Sequence, residues 1–385
     1  MTDDWRHGGF GLYVHWPFCA AKCPYCDFNS HVAAAIDHDR WLRAYLAEID
    51  RIGAETQGRV LNTVFFGGGT PSLMAPETVA AVIDRIRATW PTANDLEITL
   101  EANPTSIDAG KFRAFAQGGV TRLSMGMQAM DDDSLRRLGR MHTAAEGRAA
   151  FDIARAQFPR VSFDLIYARQ GQSLDDWARE LRGALAMAVD HFSLYQLTIE
   201  DGTAFGRLFA AGKLRDLPED DLAADMYLKT QEICDAAGLP AYEVSNHARP
   251  GAECRHNLVY WRYGDYAGIG PGAHGRLTLG GVRHATEAPK APAEWLDRVE
   301  RQGNGEMPRE PLERQEQATE FLLFGLRLAE GIDPARYERL SGQALPAQAL
   351  ADLEAMGMIA QDAGRIRATA PGRAVLNAVI RELMP

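Results

Sequence analysis

The sequence lacks the features that mark secreted, membrane-spanning and nucleic-acid-binding proteins. It has only five cysteines in 385 residues, and three of them are clustered, which argues against a disulfide framework. No stretch approaches the ~18 uncharged apolar residues that span a bilayer, and the first residues carry no secretory pattern. No run rich in lysine and arginine occurs, and the formal net charge is −11, so we expect no nucleic-acid partner. These absences predict a cytoplasmic globular protein.

The clustered cysteines stand at positions 19, 23 and 26, in the spacing C-x3-C-x2-C. Thiolates this close together bind zinc, copper(I) or an iron–sulfur cluster. A structural zinc site takes four ligands, so zinc here would need a distant Cys or His to complete the site. A 4Fe–4S cluster held by Cys19, Cys23 and Cys26 would leave one iron open to an external ligand. The residues alone leave both sites as alternatives.

Strands and helices are predicted to alternate along the first 200 residues. The expected strands cover residues 10–18, 62–66, 96–100, 122–128, 161–167 and 191–199. Such alternation predicts a parallel sheet with helices outside it. The polar motifs follow the strand ends, where α/β barrels keep their chemistry, so we interpret the fold as a partial barrel. A closed eight-stranded barrel and an open doubly wound sheet are the alternatives.

The chain divides by composition into three parts. Residues 1–284 form the expected barrel domain, and residues 285–310, rich in Ala, Pro and charge, are interpreted as a linker. Residues 311–385 predict a small domain in which a helix (313–330) precedes a helix, a hairpin and a closing helix. This order is winged-helix-like, but no strong basic face accompanies it. We therefore expect a structural or docking role for this domain, with a homodimer as one form of docking.

Taken together, the motifs resemble the radical S-adenosylmethionine (SAM) superfamily and, within it, the family of oxygen-independent coproporphyrinogen III oxidase and its relatives. The resemblance runs from about residue 10 to the C-terminus and is carried by the cysteine loop, GGGTPS (67–72), EANP (101–104), R-x-S-x-G-x-Q (122–128), LGRMH (138–142), DLIY (164–167) and GIGPGAH (268–274). It implies an α/β fold: a partial (β/α)6 barrel with a small helical, winged-helix-like C-terminal domain.

The resemblance also implies the cofactors. A 4Fe–4S cluster would be bound by Cys19, Cys23 and Cys26, and SAM would chelate its open iron. Carried over residue by residue, the implied SAM contacts are Tyr13, Tyr25, Gly68, Gly69, Thr70, Glu101, Gln128, Arg140 and Asp164.

Two markers separate subgroups of this family. The decarboxylating oxidases have a further cysteine two residues after the third, where this chain has Phe28. The HemW-like heme chaperones have an H-N-x-x-Y-W motif, which here spans residues 256–261. Both markers favour a chaperone that binds a cluster and SAM and delivers heme, as cargo, to respiratory proteins at the membrane. The implied heme residues are His256, Asn257, Tyr260 and Trp261.

Alternatives remain for this motif and for the function. His256 could be a core histidine, Cys254 is a second candidate heme ligand, and Cys234 is expected in the core. The rival function is oxygen-independent coproporphyrinogen III oxidation, a radical SAM decarboxylation of propionates in heme biosynthesis. A third hypothesis is radical SAM chemistry on another tetrapyrrole. SAM cleavage is compatible with the family, whereas Phe28 argues against coproporphyrinogen oxidation, so enzymatic status stays open.

One turn departs from the family pattern. After DLIY the family usually continues Gly-Leu-Pro-Gly-Gln, but this chain has Ala168, Arg169 and Gln170 before the Gly-Gln pair. If the replaced glycine has a positive φ, alanine there adds ~1 kcal/mol of strain. We therefore expect an altered turn close to the SAM pocket.

Overall fold

The computed structural model describes residues 3–106, 108–187 and 190–384. The strands are β1 (Phe10–Trp16), β2 (Phe18–Cys19), β3 (His31–Val32), β4 (Leu61–Gly68), β5 (Thr92–Ala102), β6 (Arg122–Gln128), β7 (Arg160–Tyr167), β8 (His191–Gln196), β9 (Asn246–Ala248), β10 (Asp265–Ile269), β11 (His274–Leu279), β12 (Val282–Glu287), β13 (Glu310–Pro311), β14 (Ile359–Asp362) and β15 (Arg365–Ala368).

The α-helices connect these strands and build the C-terminal region. They are α1 (His38–Glu55), α2 (Pro76–Thr89), α3 (Ala109–Gln117), α4 (Asp132–Arg137), α5 (Ala144–Gln157), α6 (Leu174–Ala186), α7 (Ala204–Ala210), α8 (Asp220–Ala236), α9 (Arg255–Trp261), α10 (Pro292–Gln302), α11 (Arg314–Gly325), α12 (Pro334–Ser341), α13 (Ala347–Ala355), α14 (Ala370–Ala374) and α15 (Leu376–Leu383). The sequence predicts a helix over residues 174–189, and the structure has α6 there (Leu174–Ala186); positions 188–189 of that prediction lie outside the described residues.

The main sheet has eleven strands in the order β13-β12-β11-β10-β1-β4-β5-β6-β7-β8-β9. Strands β1, β4, β5, β6, β7 and β8 are parallel neighbours in chain order. This unreversed order is that of a barrel, whereas a doubly wound sheet reverses its strand order. Among the described residues no pairing joins the two edge strands, so the barrel is open. The predicted partial (β/α)6 barrel is confirmed, and the two alternatives are wrong.

Strand β1 shows how the sequence produces this barrel. Because successive side chains of a strand point to opposite faces, Leu12, Val14 and Trp16 face the outer core that the helices cover. Tyr13 and His15 lie on the opposite, inner face. Some of the helices begin at side-chain caps, such as Thr143, which forms a capping box with Glu146 at the start of α5.

The sheet continues beyond the six predicted strands, into residues that sequence patterns left without strands. Strand β10 lies parallel to β1, and β11 to β13 extend it in antiparallel order. The linker predicted at 285–310 is corrected by the structure, because this segment contains α10. Trp295 of α10 is fully buried and stacks on Trp41 of α1 with ring centroids 5.4 Å apart. Helix α10 therefore belongs to the barrel core.

The C-terminal region has a hydrophobic core of its own, built from α11 to α15 and the β14–β15 hairpin. The predicted order of helix, hairpin and closing helix is confirmed, although the opening helix ends at Gly325 rather than at residue 330. Tyr263, just before β10, also packs in this second core. The terminal positions 1, 2 and 385 of the predicted domains lie outside the described residues. Among the helices of the described chain, none combines the length and apolar character needed to cross a membrane.

Candidate functional site

The cysteine loop follows β1, and its two ends are held together by the pairing of two short strands. Strands β2 and β3 pair in parallel, with Cys19 opposite Val32. The glycine-rich turn after β4 lies against the start of the loop, where the Thr70 N–H donates to the Phe18 carbonyl at 2.8 Å. A Cβ at Gly69 would lie 2.7 Å from that same carbonyl oxygen. Only glycine permits this close approach.

Each of the three loop thiols is free and half-buried, and each has a polar side chain beside its sulfur. The Thr70 hydroxyl donates to Cys19 Sγ at 3.3 Å, and Arg140 Nη1 donates to Cys23 Sγ at 3.3 Å. The Ser30 hydroxyl lies 4.0 Å from Cys26 Sγ. Burial raises the pKa of Cys19 and Cys26, whereas these hydrogen bonds act in the opposite direction and favour the thiolate, the metal-binding form of cysteine. The donor set therefore fits an iron–sulfur cluster.

The geometry also bears on the zinc alternative. In the described residues, no group of three His, Cys, Asp or Glu side chains is arranged to hold a single metal ion. A tetrahedral zinc ion with Zn–S bonds of about 2.3 Å needs its ligands to converge on one point. In a 4Fe–4S cluster each thiolate binds a different iron, so its ligands need no common point.

A cavity of about 140 Å³ opens beside the three thiols, at the carboxyl ends of the strands. We call it the mouth cavity. Besides Cys19, Cys23 and Cys26, it is lined by eight of the nine residues predicted to contact SAM, namely Tyr25, Gly68, Gly69, Thr70, Glu101, Gln128, Arg140 and Asp164. The ninth, Tyr13, lies deeper in the barrel and does not line this cavity. The roles of these residues in SAM binding stay a prediction, but the fold brings the set together.

Two carboxyl groups form the floor of the mouth cavity. Glu101 Oε2 accepts a hydrogen bond from the Gly68 N–H at 3.3 Å. Burial and, secondarily, the nearby Asp164 raise the pKa of Glu101 to about 8. Burial likewise raises the pKa of Asp164 to about 6, against the hydrogen bond from Ser193 and the charge of Arg122. A cationic ligand group would favour the ionised form of both.

Some cavity residues were missed by sequence reasoning. Ser124 and Gly126 line the mouth cavity with Gln128, because residues i, i+2 and i+4 of a strand share one face. Applying that period to R-x-S-x-G-x-Q would have found them. Asn29 was also missed: its side-chain amide donates to the carbonyls of Pro271 and Lys290, each at 2.9 Å. It thereby ties the cysteine loop to the β10–β11 and β12–α10 connections, and no local pattern predicts that.

Below the mouth cavity lies a second chamber of about 190 Å³, which extends through the barrel interior to α9. We call it the base chamber. It shares Glu101, Ser124 and Asp164 with the mouth cavity and is closed by α9, which contacts β1, β4 and β10. Its further lining includes Tyr13, Arg122, His191, Cys254, His256, Asn257 and Tyr260. Three of the four predicted heme residues thus lie together, but inside the barrel.

The position of His256 argues against its predicted role as a heme ligand. Its side chain is 1% exposed, and burial lowers its pKa to about 3. Nδ1 forms a hydrogen bond with the Thr63 hydroxyl at 2.8 Å, and Nε2 forms one with the Tyr260 hydroxyl. Both ring nitrogens are therefore occupied. To bind a heme iron, His256 would have to give up at least one of these hydrogen bonds.

The other residues near α9 are distributed between the two domains. Trp261 points away from the chamber and packs on Phe324, while the Arg327 guanidinium lies 4.6 Å from the Trp261 ring centroid. Cys254 is buried beside Glu97, and Cys234 is buried in the core as expected. The H-N-x-x-Y-W motif thus joins the base of the barrel to the C-terminal domain.

Comparison with known proteins agrees with this geometry. Residues 13–182 match the family model of the radical SAM superfamily, and residues 312–375 match that of the HemN C-terminal domain. The heme chaperone HemW of Mycobacterium tuberculosis is 38% identical over 97% of this chain and 95% of its own. That of Escherichia coli is 42% identical over 70% of each chain. This chain belongs to the HemW-like family of radical SAM proteins.

Two further relatives extend the comparison. The mitochondrial radical S-adenosyl methionine domain-containing protein 1 of Bos taurus is 38% identical over 97% of this chain and 87% of its own. Among solved structures, coproporphyrinogen III oxidase (HemN) from Escherichia coli superposes with a TM-score of 0.81 over 99% of this chain and 92% of its own, at 23% identity. At that identity the likeness shows the fold alone. The HemW-like sequence thus adopts the fold of HemN, including its C-terminal domain.

Proposed function

We propose that this protein binds a 4Fe–4S cluster through Cys19, Cys23 and Cys26, binds SAM in the mouth cavity, and carries heme as cargo to heme-accepting proteins. The observation that supports it most is the convergence of the three thiols and eight predicted SAM residues on one cavity. The full-length match to relatives named heme chaperones supports the cargo.

The chain's own groups suit the parts of SAM. Glu101 can accept hydrogen bonds from ribose hydroxyls or an ammonium group, and Gln128 offers an amide that both donates and accepts. The Arg140 guanidinium, which already donates to Cys23 Sγ and to the Gly126 carbonyl, can pair with a carboxylate. When bound, the cluster and SAM supply one-electron chemistry that the protein side chains lack.

Our proposal does not place the heme in the base chamber. Binding at His256 would require the imidazole to give up its hydrogen bonds to Thr63 and Tyr260 and α9 to leave the barrel. We therefore propose that His256 stabilises the fold and that heme binds outside the base chamber. Phe28, which is 61% exposed beside the cysteine loop, replaces the further cysteine of the oxidases.

The test is anaerobic reconstitution followed by separate binding and turnover assays. We expect about four iron atoms per chain, saturable SAM binding in equilibrium dialysis, and a shifted heme absorption band on titration with heme. The reconstituted protein would then receive SAM, reductant and coproporphyrinogen III. Multiple turnovers to protoporphyrinogen IX would overturn the chaperone assignment in favour of the oxidase. A loaded cluster without any heme-dependent spectrum would also contradict it.

The acceptor is the final part of the proposal. Following the family resemblance, we propose respiratory proteins at the membrane as acceptors. Heme-loaded protein should transfer heme to vesicles that carry an apo-respiratory enzyme faster than to matched vesicles of lipid alone. Equal rates would contradict a protein acceptor.

A further inference from the structure

Two residues with strained backbone lie at neighbouring strand ends beside the mouth cavity. Gln128, at the end of β6, has φ +69°, and Ala168, directly after β7, has φ +56°. Gln128 pairs in register with Leu165 of β7, so the two strand ends are adjacent. Residues with a side chain adopt such angles only where the surroundings enforce them.

A buried ion pair joins the turns that follow these two strands. Arg169 is 5% exposed, and its Nη2 lies 2.6 Å from Glu180 Oε2 on α6. The other oxygen of Glu180 accepts a hydrogen bond from the Met130 N–H, two residues beyond Gln128, at 2.7 Å. One carboxylate thus binds the turn after β6 and, through Arg169, the turn after β7.

Further contacts complete the connection. Arg169 Nη1 donates to the Ile166 carbonyl at 2.5 Å, and the Gln172 amide donates to Glu180 Oε2 at 3.1 Å. Arg169 Nη2 also lies 3.7 Å from Asp131, the residue that caps the start of α4. Helix α4 leads directly to Arg140, whose guanidinium contacts Cys23 Sγ.

We propose that Arg169 and Glu180 form a clamp that positions Gln128 and Arg140 at the mouth cavity. Neither clamp residue lines that cavity, so both act through the segment from residue 128 to residue 140. One clamp residue, Arg169, lies in the turn where this chain departs from the Gly-Leu-Pro pattern of the family. The departure thus supplies the cation of the clamp. The inference rests on the proposed binding of SAM in the mouth cavity.

The decisive variant replaces both charges with apolar side chains, Arg169→Leu with Glu180→Leu. Removing both partners of a buried ion pair leaves no unpaired charge and costs little stability. The Met130 N–H and the Gln172 side-chain amide, however, lose their acceptor. Cluster iron should stay close to wild type and the thermal unfolding midpoint should fall by only a few degrees, while the dissociation constant for SAM in equilibrium dialysis should rise roughly tenfold. The single variant Arg169→Lys, which keeps Glu180 and a positive charge at position 169, should bind SAM with an affinity between those of wild type and the double variant.

The matched control is Arg179→Met, because Arg179 also lies on α6 and pairs with a carboxylate, but its side chain is 75% exposed. It should bind SAM like wild type. A second readout is the electron paramagnetic resonance spectrum of the reduced cluster, whose change on adding SAM should be weaker in the double variant. If wild type binds SAM and the double variant binds it equally well, the clamp is wrong. If wild type itself binds no SAM, the proposed function fails, and the clamp fails with it.

Discussion

The two ends of the barrel contain similar side chains but hold them in different states. At the mouth, Cys23 is half-buried, and its sulfur accepts a hydrogen bond from the Arg140 guanidinium. At the base, Cys254 is fully buried, and both ring nitrogens of His256 are hydrogen-bonded. The comparison shows that side chains of the same chemical type differ in availability, and for that reason we propose ligand binding at the mouth and a role in fold stability at the base.

The largest effect is expected at the mouth. Changing Cys19, Cys23 or Cys26 singly to Ser should lower reconstituted iron from about four atoms per chain to fewer than about one, because a cluster attached through only two protein thiolates is not retained. Iron and acid-labile sulfide assays measure this loss. The buried cysteines serve as controls, so Cys234→Ser and Cys254→Ser should keep the cluster. Full iron content in all three loop variants would refute the proposal that these cysteines bind the cluster.

At the base of the barrel, we expect a substitution to lower the stability of the fold rather than to abolish ligand binding. Changing His256 to Ala leaves a cavity and removes the hydrogen-bond partner of Thr63 and Tyr260, so the free energy of unfolding should fall by about 2–4 kcal/mol. Urea unfolding measures the loss, and heme titration should show unchanged affinity. His7→Ala is the control, because His7 is exposed and should leave both quantities unaltered. A stable variant that no longer binds heme would show that the base is the cargo site after all.

The floor of the mouth cavity gives a prediction for pH. Because the pKa of Glu101 is about 8, the carboxyl is mostly neutral below that pH and ionised above it. A cationic ligand group stabilises the ionised form, so the dissociation constant for SAM should fall roughly tenfold as pH rises from about 6 to about 9. Glu101→Gln removes this titration, whereas any titration of SAM itself persists in both proteins. If the dissociation constant for SAM depended on pH in the same way in wild type and in Glu101→Gln, the Glu101 carboxyl would have no part in SAM binding.

The smallest effect concerns the altered turn beside the mouth. The strain expected from the sequence requires a positive φ at residue 168, and Ala168 has φ +56°. Ala168→Gly should raise the free energy of unfolding by roughly 0.5 kcal/mol, because relief of strain is partly offset by the greater freedom of glycine in the unfolded chain. Denaturant unfolding measures the change. Ala184→Gly, within α6, should instead lower stability, and a loss at both positions would argue against strain at 168.

Much of the site was predictable because its motifs are local. The three cysteines lie within one loop, and the predicted SAM residues follow successive strands whose carboxyl ends meet at one edge of the sheet. Tyr13 was grouped with them, but it lies one layer deeper. The anchoring by Asn29 escaped prediction, since its partners Pro271 and Lys290 are more than 240 residues away along the chain.

The sequence by itself determined the alternation of the six parallel strands with their helices, the cysteine loop and the departure from the family pattern at residue 168, because periodicity, spacing and turn chemistry act over a few residues. Only the tertiary structure decided that β10 extends the parallel sheet, that α10 packs on α1, and that α9 closes the barrel with His256 inside. Burial depends on which distant segments pack together, and no local pattern records that packing. For the same reason, no local pattern predicts that His256 is buried with both ring nitrogens hydrogen-bonded.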